Sequence, residues 1–299
     1  FSLAGIGLSN VKYALLFLNL ALLFWLILSV KPWRTKRLAV RLDTLDKMLA
    51  LLVALVFILL SVQGGLLDIM ADGWWHMSIA NRMIQENTLL LQFHPFANVQ
   101  STGFEIFYPP LWHLQLALIS EVSGVILPWV WHFVAAVNVS MLLLIFYKLS
   151  LVLSQDRRVA FGAVCLHIVL VGGLNTYFRV GSWPANAAYV LLYYAIYQTF
   201  FMLTSATNQS LRVGQRGFPF DFGRFVLLVM ACIAMVGLHG VELVLFVLSI
   251  GAYLIGISVV DILNRSSIYT TERNILLVIF ASCLLVGLFG AFLLMPARI

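Results

Sequence analysis

Long apolar runs recur along the whole chain, and they decide what it can fold into. A helix needs about 20 mostly apolar residues to cross the ~30 Å hydrocarbon layer. Eight stretches read as such spans: 11–30, 47–66, 126–148, 159–177, 185–204, 225–238, 242–261 and 275–295. No stretch alternates as barrel strands do, and only helices and closed barrels satisfy their own backbone inside lipid. With 62% hydrophobic residues against 10% charged and a mean hydropathy of +1.00, a soluble globular domain is excluded. The expected fold class is an all-α polytopic membrane protein. The run Tyr13–Val30 is longer than a signal-peptide core and lacks a small-residue cleavage pattern, so it is expected to remain as a span.

The positive charges assign the sides. Connections 31–47, 148–158, 205–224 and 262–274 hold Lys31, Arg34, Lys36, Arg37, Arg41, Lys47, Lys148, Arg157, Arg158, Arg212, Arg216, Arg224, Arg265 and Arg273, fourteen of the eighteen Lys and Arg. Only Lys12, Arg82, Arg179 and Arg298 fall on the opposite face. By the positive-inside rule the first set is cytoplasmic and the second extracytoplasmic, as for a plasma (inner) membrane protein. The net charge of +6 is therefore dealt out between spans and does not form a nucleic-acid surface. Residues 1–46 read as an N-terminal span with its basic cytoplasmic loop, and 47–299 as the main transmembrane module. Cys165, Cys232 and Cys283 stand singly in apolar runs, without metal-ligand spacing, and read as small hydrophobes.

The outer face differs in kind. It collects Asp68, Asp72, Glu86, Glu105, Glu121 and Glu242 together with His76, His94, His113, His132 and His239, five of the six histidines. Loop solvation is the bland explanation; the clustering points instead to an extracytoplasmic site. Most of it lies in the loop 67–125. There Gly73–Asn87 reads as an amphipathic helix with Trp75, Ile79, Met83, Ala80 and Ile84 on one stripe, and Asp72 is expected at its N-cap. Asp72 and His76 are four apart, hence on one side of the helix start. Pro109-Pro110 opens a second helix, with Trp112 and His113 just inside and Glu105 and Tyr108 on the approach. Residues 110–124 extend only ~22 Å as a helix, too short for a span, so they are laid along the membrane surface. The bland alternatives are an interface anchor for Trp112 and a wetted edge for His113. His167 reads as a packing hydrogen-bond donor within a span.

At Asp72-Gly-Trp-Trp-His76 and Tyr108-Pro-Pro-Leu-Trp-His113 the loop resembles the GT-C superfamily of integral-membrane glycosyltransferases, which includes protein mannosyltransferases, aminoarabinose transferases and arabinosyltransferases. The resemblance implies a fold with two juxtamembrane helices in the first large outer loop and a polyprenyl-phosphate sugar as donor. It implies Asp72 as the catalytic base or as a contact to a metal or to the acceptor, with a divalent cation left open. Thr176-Tyr-Phe-Arg-Val-Gly-Ser-Trp-Pro184 and Gly237-Leu-His-Gly-Val-Glu242 are similar to later outer segments of that family. On this basis His76, Glu105, Tyr108, His113, Arg179, His239 and Glu242 are expected to bind substrate, with Arg179 suited to a phosphate; no metal ligands are assigned. The chain departs from the family in carrying Tyr108 where some members have Lys, in lacking a second acid directly after Asp72, and in an added span before the loop. No soluble C-terminal domain is evident in the 299 residues, so acceptor recognition is expected from a partner subunit or a separate domain. Two other readings stay open: a transporter or flippase of a lipid-linked or polar substrate, and a non-catalytic membrane subunit.

Overall fold

The computed structural model describes residues 7–8, 12–13, 43–63, 71–88, 111–170, 184–213, 221–265 and 269–294, with the side chains of 63, 71–72, 205–213 and 290–294 left aside. Every secondary-structure element among them is a helix: α1 (Thr44–Gln63), α2 (Ala71–Gln85), α3 (Leu111–Ser123), α4 (Leu127–Ser154), α5 (Arg157–Leu170), α6 (Pro184–Val213), α7 (Phe222–Leu238), α8 (Val241–Leu263) and α9 (Thr270–Leu294). Five are long and apolar enough to cross a membrane, over Thr44–Val62, Leu127–Ser154, Pro184–Thr204, Val241–Leu263 and Thr270–Phe289. These coincide with five of the eight expected spans. The expected span 225–238 falls on α7, a shorter apolar helix, and 159–177 on the 14 residues of α5 and the undescribed residues after it. The expected span 11–30 lies outside the described residues apart from Lys12 and Tyr13.

Helix ends are set by short polar signals. Asp43 and Asp46 exchange backbone-to-carboxylate hydrogen bonds, Asp46 N–H to Asp43 Oδ1 at 2.8 Å and Asp43 N–H to Asp46 Oδ2 at 3.3 Å, an acidic version of the capping box at the head of α1. Asp156 caps α5 through Arg158 N–H at 2.6 Å, and Asp221 caps α7 through Arg224 N–H at 3.1 Å. Pro184 opens α6, where its missing N–H costs no helical bond. Gly124, at φ +69°, ends α3 in the left-handed conformation glycine tolerates best.

The chain packs as two compact units, residues 1–106 with 113–134 and residues 107–112 with 135–299. In the first, α1 meets the first turns of α4 through an edge-on Phe57–Phe133 pair, 6.1 Å between ring centres. Lys12 joins Glu121 of α3 as an ion pair at 3.5 Å.

In the second unit α6, α7, α8 and α9 each touch the other three. Their shared core is Ala195 and Leu203 of α6, Leu228, Cys232 and Met235 of α7, Phe246 and Ile250 of α8, and Ile275, Ile279 and Cys283 of α9. Cys232 and Cys283 lie with their sulfurs 3.4 Å apart as free thiols. The sequence treats them as separate hydrophobes; the packing makes them one contact. In lipid such a core gains little from hydrophobicity and depends on close packing. Phe246→Ala, which empties a site only 1% exposed, should therefore destabilise the protein by about 2 kcal/mol through the cavity. Leu248→Ala, on the 62% exposed face of the same helix, should change it by under ~0.5 kcal/mol. Unfolding followed by circular dichroism in detergent checks both.

Candidate functional site

Helix α2 begins at Ala71, so Asp72 lies within its first turn and not in the N-cap position expected from sequence. The correction is small, since Ala71 is a strong helix former and extends the helix backward. The buried line of α2 also differs from the expected stripe: His76, Met77, Ala80 and Met83 are buried together with Ile79, whereas Trp75 and Ile84 are only half-buried.

The centre of the first unit is a contact between the two sequence motifs. His76 Nδ1 lies 2.8 Å from His113 Nε2, and the two rings are 2% and 1% exposed. The wetted-edge alternative for His113 therefore fails. Trp75 presents its edge relation to both rings, at 4.8 Å and 74° to His76 and 6.2 Å and 79° to His113. Trp131, from the first turns of α4, stacks on His76 at 5.9 Å and 24°. A neutral imidazole has one donor and one acceptor nitrogen, so one ring donates and the other accepts. The spacing is that of a hydrogen bond. Two imidazole nitrogens on one tetrahedral zinc would stand ~3.3 Å apart at the usual bond lengths, and hard divalent cations take oxygen ligands. Among the described residues no group of three or more His, Cys, Asp or Glu side chains is arranged to hold a metal ion.

The second unit holds a different arrangement. His239 closes α7, its N–H bonded to Met235 C=O at 2.8 Å, and Glu242 lies in the first turn of α8 after the single linking residue Gly240. His239 Nδ1 donates to Glu242 Oε2 at 2.7 Å, the ring about a third exposed and the carboxylate 1% exposed. An ionised carboxylate only accepts, which assigns the hydrogen to Nδ1 and leaves Nε2 as the ring's other functional atom. The corner also presents the negative end of α7 to the imidazole and the positive end of α8 to the carboxylate, both favourable to the charged pair.

The structure thus brings His76 onto His113 and His239 onto Glu242. Asp72 is located by its backbone only, while Glu105, Tyr108 and Arg179 lie outside the described residues. Compared with known proteins, the chain matches no family model, no curated protein and no solved structure. The sequence missed Trp131, whose apolar surroundings in a span give no local sign of a histidine partner contributed by α2. It also missed the mutual contact of His76 and His113, 37 residues apart.

The two pairs predict different responses to truncation. His113→Ala deprives the buried His76 Nδ1 of this partner and should cost about 1–3 kcal/mol. His239→Ala strands a buried carboxylate, whereas Glu242→Gln keeps an oxygen that accepts from the ring, so His239→Ala should lower the thermal midpoint in detergent more than Glu242→Gln does.

Proposed function

We propose that this protein is an integral-membrane glycosyltransferase, moving a sugar from a polyprenyl-phosphate donor to an acceptor hydroxyl at the extracytoplasmic face of the plasma membrane. The observation that carries this reading is the 2.8 Å contact of His76 with His113. The motif on α2 and the described end of the other motif, Leu111-Trp-His113 on α3, meet at this point, with Asp72 on the preceding turn of the α2 backbone.

The reaction is an inverting displacement. As the acceptor oxygen bonds to the anomeric carbon, the bond from that carbon to the phosphate oxygen breaks and its electron pair leaves with the lipid phosphate. The hydroxyl proton passes to the Asp72 carboxylate. A weak base suffices where bond breaking runs ahead of attack and the transition state resembles an oxocarbenium ion. Any partner subunit that presents the acceptor, and any divalent cation, stay outside the step.

A buried imidazole pair also suits a carrier that moves a proton with its substrate, and the assay separates the two. Purified protein incubated with radiolabelled polyprenyl-phosphate sugars should transfer the label, with Asp72→Asn slower by about 10²-fold or more. Transfer unchanged in Asp72→Asn removes Asp72 from catalysis; binding with no transfer favours the carrier. Sidedness has its own measurement. Ser101→Cys should react with a membrane-impermeant maleimide on intact cells, and Thr35→Cys only after the membrane is opened, as the positive-inside assignment requires.

A further inference from the structure

Packing brings two of the three cysteines into one contact. Cys232 stands in the middle of α7 on the buried line Leu228, Cys232, Met235, and Cys283 in the middle of α9 on the buried line Ile275, Ile279, Cys283. The third, Cys165 of α5, is only partly buried and has no thiol partner among the described residues. Cys232 and Cys283 are free thiols with sulfurs 3.4 Å apart. An S–S bond is about 2.05 Å long, so the sulfurs need to close by only about 1.4 Å, on short side chains from helices that already touch. The surroundings select among the products that two such thiols can give. A metal thiolate or an ionised sulfinic acid brings charge into a core of Leu228, Met235, Phe246 and Ile279, where an uncompensated charge is expensive. A disulfide is neutral and carries no hydrogen-bond donor, so the same core accepts it.

We propose that Cys232 and Cys283 form an oxidation site at which a small peroxide closes a disulfide that pins α7 to α9. The glycosyl-transfer reading plays no part in it. Burial sets the class of oxidant: the two residues are 0% and 2% exposed, so the reagent must be uncharged and close to water in size, as hydrogen peroxide is. In the first step one sulfur attacks a peroxide oxygen, the O–O bond breaks, and the thiol proton leaves with the departing hydroxide as water, giving a sulfenic acid. In the second step the other sulfur attacks the first, the S–O bond breaks, the S–S bond forms, and a second water departs. The peroxide gains two electrons, the thiols give up two electrons and two protons, and no further reactant is needed. The partner thiol also decides how far oxidation goes. Standing 3.4 Å away, it intercepts the sulfenic acid before the irreversible climb to sulfinic acid. The loop that the bond closes contains all of α8 together with the His239–Glu242 corner, so the bond fixes the frame on which that corner stands.

The test treats the unmodified, folded protein in lipid nanodiscs with millimolar hydrogen peroxide, removes the peroxide, alkylates the remaining thiols in denaturant and maps the cysteine peptides by mass spectrometry. The expected product is a Cys232–Cys283 cross-link, lighter than the two thiol peptides by two hydrogens and opened by dithiothreitol, with Cys165 outside the link. The cross-linked protein should unfold at a midpoint several degrees higher than the untreated protein, because the bond constrains the unfolded chain. In Cys283→Ala the same treatment should give no link within the chain and carry Cys232 on to sulfinic acid. Should Cys283→Ala misfold, Cys232→Ala takes its place, with Cys283 as the residue carried to sulfinic acid. Both thiols of the folded wild type still open to alkylation after peroxide, a link that involves Cys165, or sulfinic acid at Cys232 with its partner thiol present each overturn the proposal. A link that forms in the folded protein yet lowers the midpoint overturns it as well, since the two sulfurs would then have been forced together.

Discussion

Every peptide group inside the hydrocarbon layer must find its hydrogen-bond partner within its own segment, because neither water nor lipid tails supply one. The nine helices of the described residues follow from that constraint, and so does the location of everything chemically interesting. Irregular backbone is admitted only at helix ends. It is near such ends that His76 of α2 meets His113 of α3 and, at the α7–α8 corner, that His239 meets Glu242.

Side chains obey the same constraint. Thr199, Ser249 and Ser282 each return their hydroxyl to the carbonyl four residues earlier, at 2.9, 2.8 and 2.8 Å, so these polar groups add no unsatisfied donor to the bundle. Arg224 at the start of α7 is held on three sides: it donates to Gln198 Oε1 at 2.9 Å, pairs with Asp221 at 3.1 Å and lies over the Phe201 ring at 3.9 Å. At the α8–α9 corner Asp261, 6% exposed, stands 3.9 Å from Arg273 and accepts a long bond from Tyr269 N–H at 3.5 Å. The charges that remain in the second unit thus cluster at the ends of its helices, as the cost of an unpaired charge in lipid demands. Gly237 serves a packing purpose, since a Cβ there would come within 3.2 Å of the Leu111 side chain.

The two histidine arrangements differ in what they can do. The His239–Glu242 pair matches an imidazole with a carboxylate, so its charged form is neutral overall, and the partly exposed ring keeps one nitrogen outside the pair. The His76–His113 pair joins two imidazoles and is buried on both sides.

The helical fold class and the five long spans were legible in the sequence because they rest on a local quantity, apolar run length. His239 and Glu242, three residues apart, were named by the sequence as neighbours on one short outer segment, and the structure adds their contact. The described α2 begins at Ala71, two residues before the expected Gly73, since helix ends depend on a balance too fine for pattern alone. What only the tertiary structure decided is which side chains touch across helices. No periodicity in α2 announces that His76 rather than Trp75 turns inward, that His113 of α3 meets it, that Trp131 of α4 covers it, or that Cys232 and Cys283 share a contact. Those choices depend on how apolar surfaces of different helices interlock. In lipid, where all apolar faces are nearly equivalent in solvation, close packing and the satisfaction of polar groups select among them, and neither is a property of any one segment.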